Sequence, residues 1–323
     1  MSSTTTCSPS MAKLLPDWRS EREEFAPFAM VELIAVDLDG SLVQANAASV
    51  LDQIQSVQHG LGRRRAGHPA VKLTYATGRS LTWVASLLSG LRLRLPSGTP
   101  LVLYNGSVVI ESHTGLVLAR SGIPPAAFRE IMHLRSALGA TLYAYGGPVE
   151  WPTSLESVED VFGWSEQAPE RDYDINGARV QWIPGAIDQA FSPVAVLMDV
   201  PQDAETRDGA LARLRHIAGI SLTSSAGHLV EIRPEGSNKA VGLQVAVRHM
   251  GIDRERVLAL GDSDNDAEML SWAGLAVSVR DATPAALIHS DYVTRSGAAQ
   301  GALEVLRTVK HARRWFPLAR EAS

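Results

Sequence analysis

Four short polar clusters carry residue types that chemistry needs. Asp37-Leu38-Asp39-Gly40-Ser41 sets two carboxylates two residues apart, where an apolar run breaks into a Gly-supported loop. Such a pair can point into one site, although Asp-Gly after a strand is also an ordinary turn. Thr77-Gly78-Arg79 offers a hydroxyl and backbone N–H groups at an expected helix start, which suits an anion; a helix N-cap is the bland alternative. Lys239, in Gly236-Ser237-Asn238-Lys239, also opens an expected helix. A cation there opposes the helix dipole unless an anion or carboxylates lie near, and a solvated lysine is the simpler reading of that residue alone. Gly261-Asp262-Ser263-Asp264-Asn265-Asp266 places three alternating carboxylates behind a buried run, a costly arrangement unless a cation sits among them. A calcium loop fails on spacing: Ala267 stands where Gly is needed and Ala273 where a bidentate Glu should be. A purely structural turn stays open.

The elements that must position these clusters alternate between short apolar strands and amphipathic helices. That grammar predicts an α/β fold, doubly wound, with a mainly parallel Rossmann-like sheet. Val31–Val36 reads as a strand ending at Asp37, and Ala47–Leu61 as a helix with Val50, Ile54, Val57 and Leu61 on one face. Val71–Ala76 is a second strand before Thr77. Leu101–Tyr104 is a third, ending in the hairpin signal Asn105-Gly106 ahead of Val108–Glu111. Asn105 reads as a turn residue and Arg63-Arg64-Arg65 as a solvated loop. Helix Lys239–Met250 leads into strand Val257–Leu260, then Gly261-Asp262. Strands Ala276–Val279 and Tyr292-Val293 and a helix over Gly301–Lys310 complete the pattern. In open α/β sheets ligands bind beyond the carboxyl ends of strands, where all four clusters fall.

Between these halves the texture changes. Residues 123–228 read as an inserted α/β unit, with helix 125–138, strands at 141–145, 194–199 and 220–223, and a segment rich in Trp, Pro, Glu and Asp. Parallel-sheet grammar resumes beyond it, which leaves 31–122 and 229–323 as the core. Residues 1–30 read as a flexible extension, with room for a short helix near Trp18–Phe25. Core packing is the default for Trp151, Trp164 and Trp182, and a structural role is the default for His228.

Composition narrows the function classes. The 30 Lys and Arg against 35 Asp and Glu give −5, which argues against bulk attraction to nucleic acid or an anionic membrane. Cys7 is the single cysteine in 323 residues, so neither an internal disulfide nor a thiolate zinc site is available. No apolar run is long enough for a transmembrane helix. A cytoplasmic protein is the expectation.

The conjunction of clusters resembles the four motifs of the haloacid dehalogenase superfamily, close to its Cof-like branch of sugar-phosphate-type phosphatases. Glu231-Ile232-Arg233-Pro234 leading to Ser237-Asn238-Lys239 supports this, as does Gly261–Leu270. So does Ser290-Asp291-Tyr292-Val293-Thr294 before Gly301. Departures are mild: Ser41 where Thr is commoner, and Ser263 where Gly is often found. The resemblance implies a Mg²⁺-dependent phosphatase acting on a small soluble phosphorylated metabolite, with a sugar phosphate as one expected class and the inserted unit 123–228 as its cap domain. Asp37 would be the nucleophile and Asp39 the general acid and base. Mg²⁺ would be held by Asp37, Asp262 and the Asp39 carbonyl, with support from Asp266. Thr77, Gly78, Lys239 and Asn265 would bind phosphate. Asp264 is expected to be a solvated turn residue and Arg79 either a substrate contact or a salt-bridge partner. A phosphosugar mutase or phosphotransferase would use the same motifs, and a non-catalytic phosphometabolite-binding regulator would keep them as a sensor.

Overall fold

Apolar runs of four or five residues, bounded by Gly, Asp, Ser and Pro, form most of the strands in a computed structural model of the chain. The described residues are 12–17, 19–43, 48–64, 67–90, 98–147, 160–165, 178–184, 191–200, 203–224 and 229–318; Cys7, Trp18, Arg65, Trp151 and His228 lie outside them. In chain order the strands are β1 (Lys13–Leu14), β2 (Leu33–Val36), β3 (Lys72–Tyr75), β4 (Pro100–Leu103) and β5 (Val108–Glu111). Next come β6 (Val117–Arg120), β7 (Thr141–Tyr145), β8 (Val161–Trp164), β9 (Val180–Trp182) and β10 (Ala195–Asp199). The last are β11 (Ile220–Ser224), β12 (Leu229–Pro234), β13 (Val257–Gly261), β14 (Leu275–Ser278) and β15 (Tyr292–Val293). The chain divides into two units, one of residues 1–75 with 247–323 and one of residues 76–246.

The first unit holds a six-stranded sheet in the order β1-β15-β14-β13-β2-β3, with every pair parallel. β2 and β13 are buried along their whole length, as continuous apolar runs in a parallel sheet should be. Val36 is registered with Leu260, and the Asp37 N–H donates to the Leu260 carbonyl at 2.9 Å. The chain therefore leaves β2 at Asp37 and β13 at Asp262 at the carboxyl ends of two neighbouring parallel strands.

The helix Ala298–Trp315 packs against Ala48–Leu61 and is longer than the expected Gly301–Lys310. Arg313 and Arg314 near its end suit the helix dipole, and the buried Arg313 donates to the Pro69 and Val31 carbonyls at 2.6 Å each. The described part of the N-terminal extension is built into this unit. β1 adds to the sheet edge beside β15, and a 3-10 turn at Arg22–Phe25 leads into a short helix, Ala26–Ala29. Pro27 is tolerated in that first helical turn. Phe25 meets the rings of His311 and Trp315, and Phe28 that of Tyr292, so both are buried.

The second unit has a six-stranded sheet, β11-β12-β10-β7-β8-β9, antiparallel except for the β8–β9 pair. β12 lies between β11 and β10, so a boundary drawn at residue 229 falls inside this sheet. β8 and β9 escape the sequence reading because they are short and embedded in Pro- and acid-rich flanks. Helices Pro125–Leu138 and Ala204–Leu214 meet, and apolar side chains of both join Phe162, Trp164, Phe191 and Ile232 in one core. Trp164 is thus a packing residue, edge-on to Phe191 at 5.8 Å, and Trp182 lies against Tyr143 at the same centroid distance.

A separate antiparallel sheet, β4-β5-β6, belongs to the same unit. The Asn105-Gly106 signal marks its first hairpin, although the turn is an unusual one: Tyr104, Asn105 and Gly106 all have positive φ, at 49°, 52° and 91°. Among the described residues no helix is long and apolar enough to cross a membrane.

Candidate active site

In the first unit, Asp37 follows β2, Asp262 follows β13, and Asp266 closes a 3-10 turn at Asp264–Asp266. One carboxylate oxygen from each lies within 4.8 Å of the others. Asp37 and Asp266 are 3% and 0% exposed, and Asp262 is half-buried. Three like charges so close and so poorly solvated repel one another unless a cation joins them. All three supply hard oxygen donors, the set that Mg²⁺ prefers, so the residues present fit that ion.

Each carboxylate is set by its neighbours. The Ser41 hydroxyl donates to Asp262 Oδ1 at 2.9 Å. Asp266 Oδ2 accepts from the backbone N–H groups of Asp262 and Ser263, at 2.9 and 3.1 Å, and so staples the loop that carries Asp262. Gly40 has φ +82°, and a Cβ there would stand 2.3 Å from Asp262 Oδ2. Only glycine combines that backbone with that approach. Asp39 is part-exposed on the same loop and forms a bridge with Val43. Asn265 Oδ1 accepts from the Ser263 hydroxyl at 2.8 Å, and the exposed Asp264 accepts from Thr283 at 2.7 Å.

In the second unit, Thr77 is fully buried and its hydroxyl accepts from the Arg79 N–H at 3.2 Å. The N-cap reading of Thr77 is answered by Ser80. That hydroxyl accepts from the Trp83 N–H at 3.2 Å, ahead of the helix Leu81–Gly90. Lys239 is the first residue of the helix Lys239–Met250, and Asn238 caps it by accepting from the Val241 N–H at 2.9 Å. Lys239 is 0% exposed, so it is not a solvated surface lysine. A buried ammonium is costly unless anions face it. Glu231 on β12 is close enough for its charge to be felt: burial raises the Glu231 pKa, while Arg233, the Asn105 amide, Lys239 and Arg79 pull the other way. Arg79 lies over the Trp83 ring at 4.6 Å. Arg63 and Arg64 are exposed, as a solvated loop should be.

The structure gathers Asp37, Asp262 and Asp266 in the first unit, with Asp39 and Asn265 on the same two loops. Thr77, Gly78 and Lys239 belong to the second. Sequence reasoning missed Ser41 as an orienting hydroxyl, the fully buried Asn105, and the acid Glu231. The available signal for Glu231 was an acid set inside the apolar run Leu229-Val230-Glu231-Ile232.

The family model for haloacid dehalogenase-like hydrolases matches residues 34–306. A 5-amino-6-(5-phospho-D-ribitylamino)uracil phosphatase from Bacillus subtilis (strain 168) is 25% identical over 277 residues, covering 86% of this chain and 95% of its own. An HMP-PP phosphatase from Serratia proteamaculans is 24% identical over 255 residues, or 79% of this chain and 86% of its own. The solved structure of a haloacid dehalogenase-like hydrolase from Bacteroides thetaiotaomicron aligns with TM-score 0.65 at 20% identity, covering 88% of this chain and 100% of that one. That last likeness concerns the fold.

Proposed function

The chain belongs to the haloacid dehalogenase-like hydrolases, and we propose that its phosphatase activity is Mg²⁺-dependent hydrolysis of a small soluble phosphomonoester through an aspartyl-phosphate. The observation that carries this reading is the carboxylate triad at the ends of β2 and β13, with two members buried and the third half-buried, which calls for a hard cation. Asp37, Asp262 and the Asp39 carbonyl would hold Mg²⁺, with Asp266 in support. When bound, the ion would neutralise carboxylate and phosphoryl charge and keep Asp37 ionised.

The protein groups do the rest. The Asp37 carboxylate attacks phosphorus, the ester P–O bond breaks, and Asp39 gives its proton to the departing alkoxide. Asp39, now a carboxylate, takes a proton from water. The resulting hydroxide attacks phosphorus, the Asp37–phosphorus bond breaks, and inorganic phosphate is released. Lys239, Thr77 and the Gly78 N–H are assigned to the phosphoryl oxygens by their place in the family motifs, with Asn265 in a lesser supporting role.

The Bacillus relative acts on a phosphoribitylamino-uracil, which makes polyol and sugar phosphates carrying a heterocycle the first class to test. The test is a panel of phosphorylated metabolites assayed for inorganic phosphate with Mg²⁺ and with EDTA. Metal-dependent release supports the proposal. A hexose 1-phosphate that isomerises without release would overturn it in favour of a mutase.

A further inference from the structure

A hairpin turn on a protein surface has no need of a buried side chain, yet Asn105 is 0% exposed and sits in a left-handed conformation at φ 52°, ψ 40°. Tyr104, a bulky residue, is held at φ 49° beside it, a strain that surroundings must impose. The surroundings are identifiable. The Asn105 N–H donates to the Thr77 carbonyl at 2.9 Å, and Asn105 Nδ2 donates to Glu231 Oε1 at 2.7 Å. Thr77 in turn donates its N–H to the Val102 carbonyl at 2.9 Å, at the end of β4.

The neighbouring glycines record how tightly this turn is clasped. A Cβ on Gly78 would meet Asn105 Nδ2 at 2.9 Å, and a Cβ on Gly106 would stand 1.9 Å from the Asn238 carbonyl oxygen. Asn238 caps the helix that begins at Lys239. The turn therefore touches the Thr77-Gly78 loop on one side and the start of the Lys239 helix on the other. Its side chain reaches Glu231, a carboxylate that feels the charges of Arg233, Lys239 and Arg79.

We infer that Asn105 is a positioning residue: by bridging the Thr77 carbonyl and the Glu231 carboxylate, it fixes the Thr77 loop and the Lys239 helix start for phosphoryl binding. This rests on the phosphatase reading for the phosphate itself. It adds a device that acts through Thr77 and Lys239 without touching substrate. Asn is the fitting residue because it tolerates the left-handed region and still offers an amide donor. A hydrogen bond to a carboxylate is also stronger than one between neutral groups.

The test uses p-nitrophenyl phosphate hydrolysis and its inhibition by inorganic phosphate, in wild type, Asn105→Gly, Glu231→Ala and the double variant. Asn105→Gly keeps the positive φ and removes only the side chain. It should raise KM and the phosphate inhibition constant about tenfold, with half-saturating Mg²⁺ unchanged. The double variant should be no worse than the worse single one, because both remove the same bond. Wild-type phosphate affinity in Asn105→Gly, or single effects that multiply in the double, overturns the inference.

Should Asn105→Gly fail to fold, Glu231→Ala and Glu231→Gln carry the test. Gln still offers an acceptor to Asn105 and should restore much of the phosphate affinity that Ala loses; equal behaviour refutes the bridge. A wild-type enzyme that hydrolyses no phosphomonoester refutes the phosphatase reading instead. That result is distinct, because the wild type is assayed before any variant.

Discussion

Replacing Gly40 by Ala tests the metal site through a residue that is itself no ligand. Two effects add. The left-handed backbone at φ +82° costs an L-residue about 1–2 kcal/mol. The new methyl would also stand 2.3 Å from Asp262 Oδ2 and 2.7 Å from its Cγ. To restore even a tight contact the carboxylate must retreat by about 0.7 Å, well inside the repulsive wall. Ser41 holds Asp262 Oδ1 from the same loop, so retreat also stretches that 2.9 Å hydrogen bond. Displacing a metal-orienting contact typically weakens metal affinity about 10–100-fold. Half-saturating Mg²⁺ in p-nitrophenyl phosphate hydrolysis should rise by that factor, and the gain in melting temperature on adding Mg²⁺ should shrink. Gly139→Ala is the control: its φ is +60° with nothing within 4 Å, so it carries the backbone cost alone. It should lower the melting temperature by about 2–4 °C and leave Mg²⁺ dependence unchanged. Wild-type Mg²⁺ dependence in Gly40→Ala would refute both the assignment of Asp262 and the reasoning from close approach.

Further outcomes follow from the same structure. Asp37→Asn should reduce aryl phosphate turnover at least about a thousandfold. In EDTA the same variant should melt higher than wild type, since one of three crowded charges is gone; a lower melting point counts against the repulsion argument. Mg²⁺ at about a hundred times its dissociation constant should stabilise the wild type by roughly 2.7 kcal/mol, read from urea melts with and without EDTA. His68 is 2% exposed with Nε2 2.7 Å from the Phe316 carbonyl, and burial is the main cause that lowers its pKa below 6.5. The unfolded chain then binds the extra proton, so this contribution is complete above about pH 6.5 and is lost as pH falls through the lower folded value. His68→Gln should flatten stability over that window in pH-dependent denaturation. The Tyr75 hydroxyl is buried with no hydrogen-bond partner among the described residues. Tyr75→Phe should therefore be neutral or stabilising by up to about 1 kcal/mol; a clear loss in a thermal melt would reveal an overlooked bond.

The parallel sheet was legible because its strands are fully covered, and such strands read as unbroken apolar runs such as Leu33-Ile34-Ala35-Val36. Asp37 and Asp262 were legible for the same reason, as charges placed where those runs stop. The division into units was less so. β12 pairs between β11 and β10, yet its sequence runs straight into the Lys239 motif, so local pattern could not assign it. The 298–315 helix runs past the expected Lys310 because Arg313, a charge that local pattern does not mark as buried, finds two backbone carbonyls, those of Pro69 and Val31, in the fold. Ser41, Asn105 and Glu231 escaped because their partners are 221 and 126 residues away, and periodicity sees only neighbours. Phe25 and Phe28 likewise find their aromatic partners near the far end of the chain.

The split of the first unit sets an order of events during synthesis. Residues 76–246 emerge as one uninterrupted stretch, so every strand of the second unit is available before Val247 is made. β2 must wait for β13, whose Val257 pairs with Leu33, and until then the apolar edge of β2 has no neighbour on that side. A bare edge of this kind is what chaperones guard and what aggregation exploits. A chain cut short after the second unit loses β13, β14, β15 and the 298–315 helix together. The cost of such a truncation falls on the first strands made.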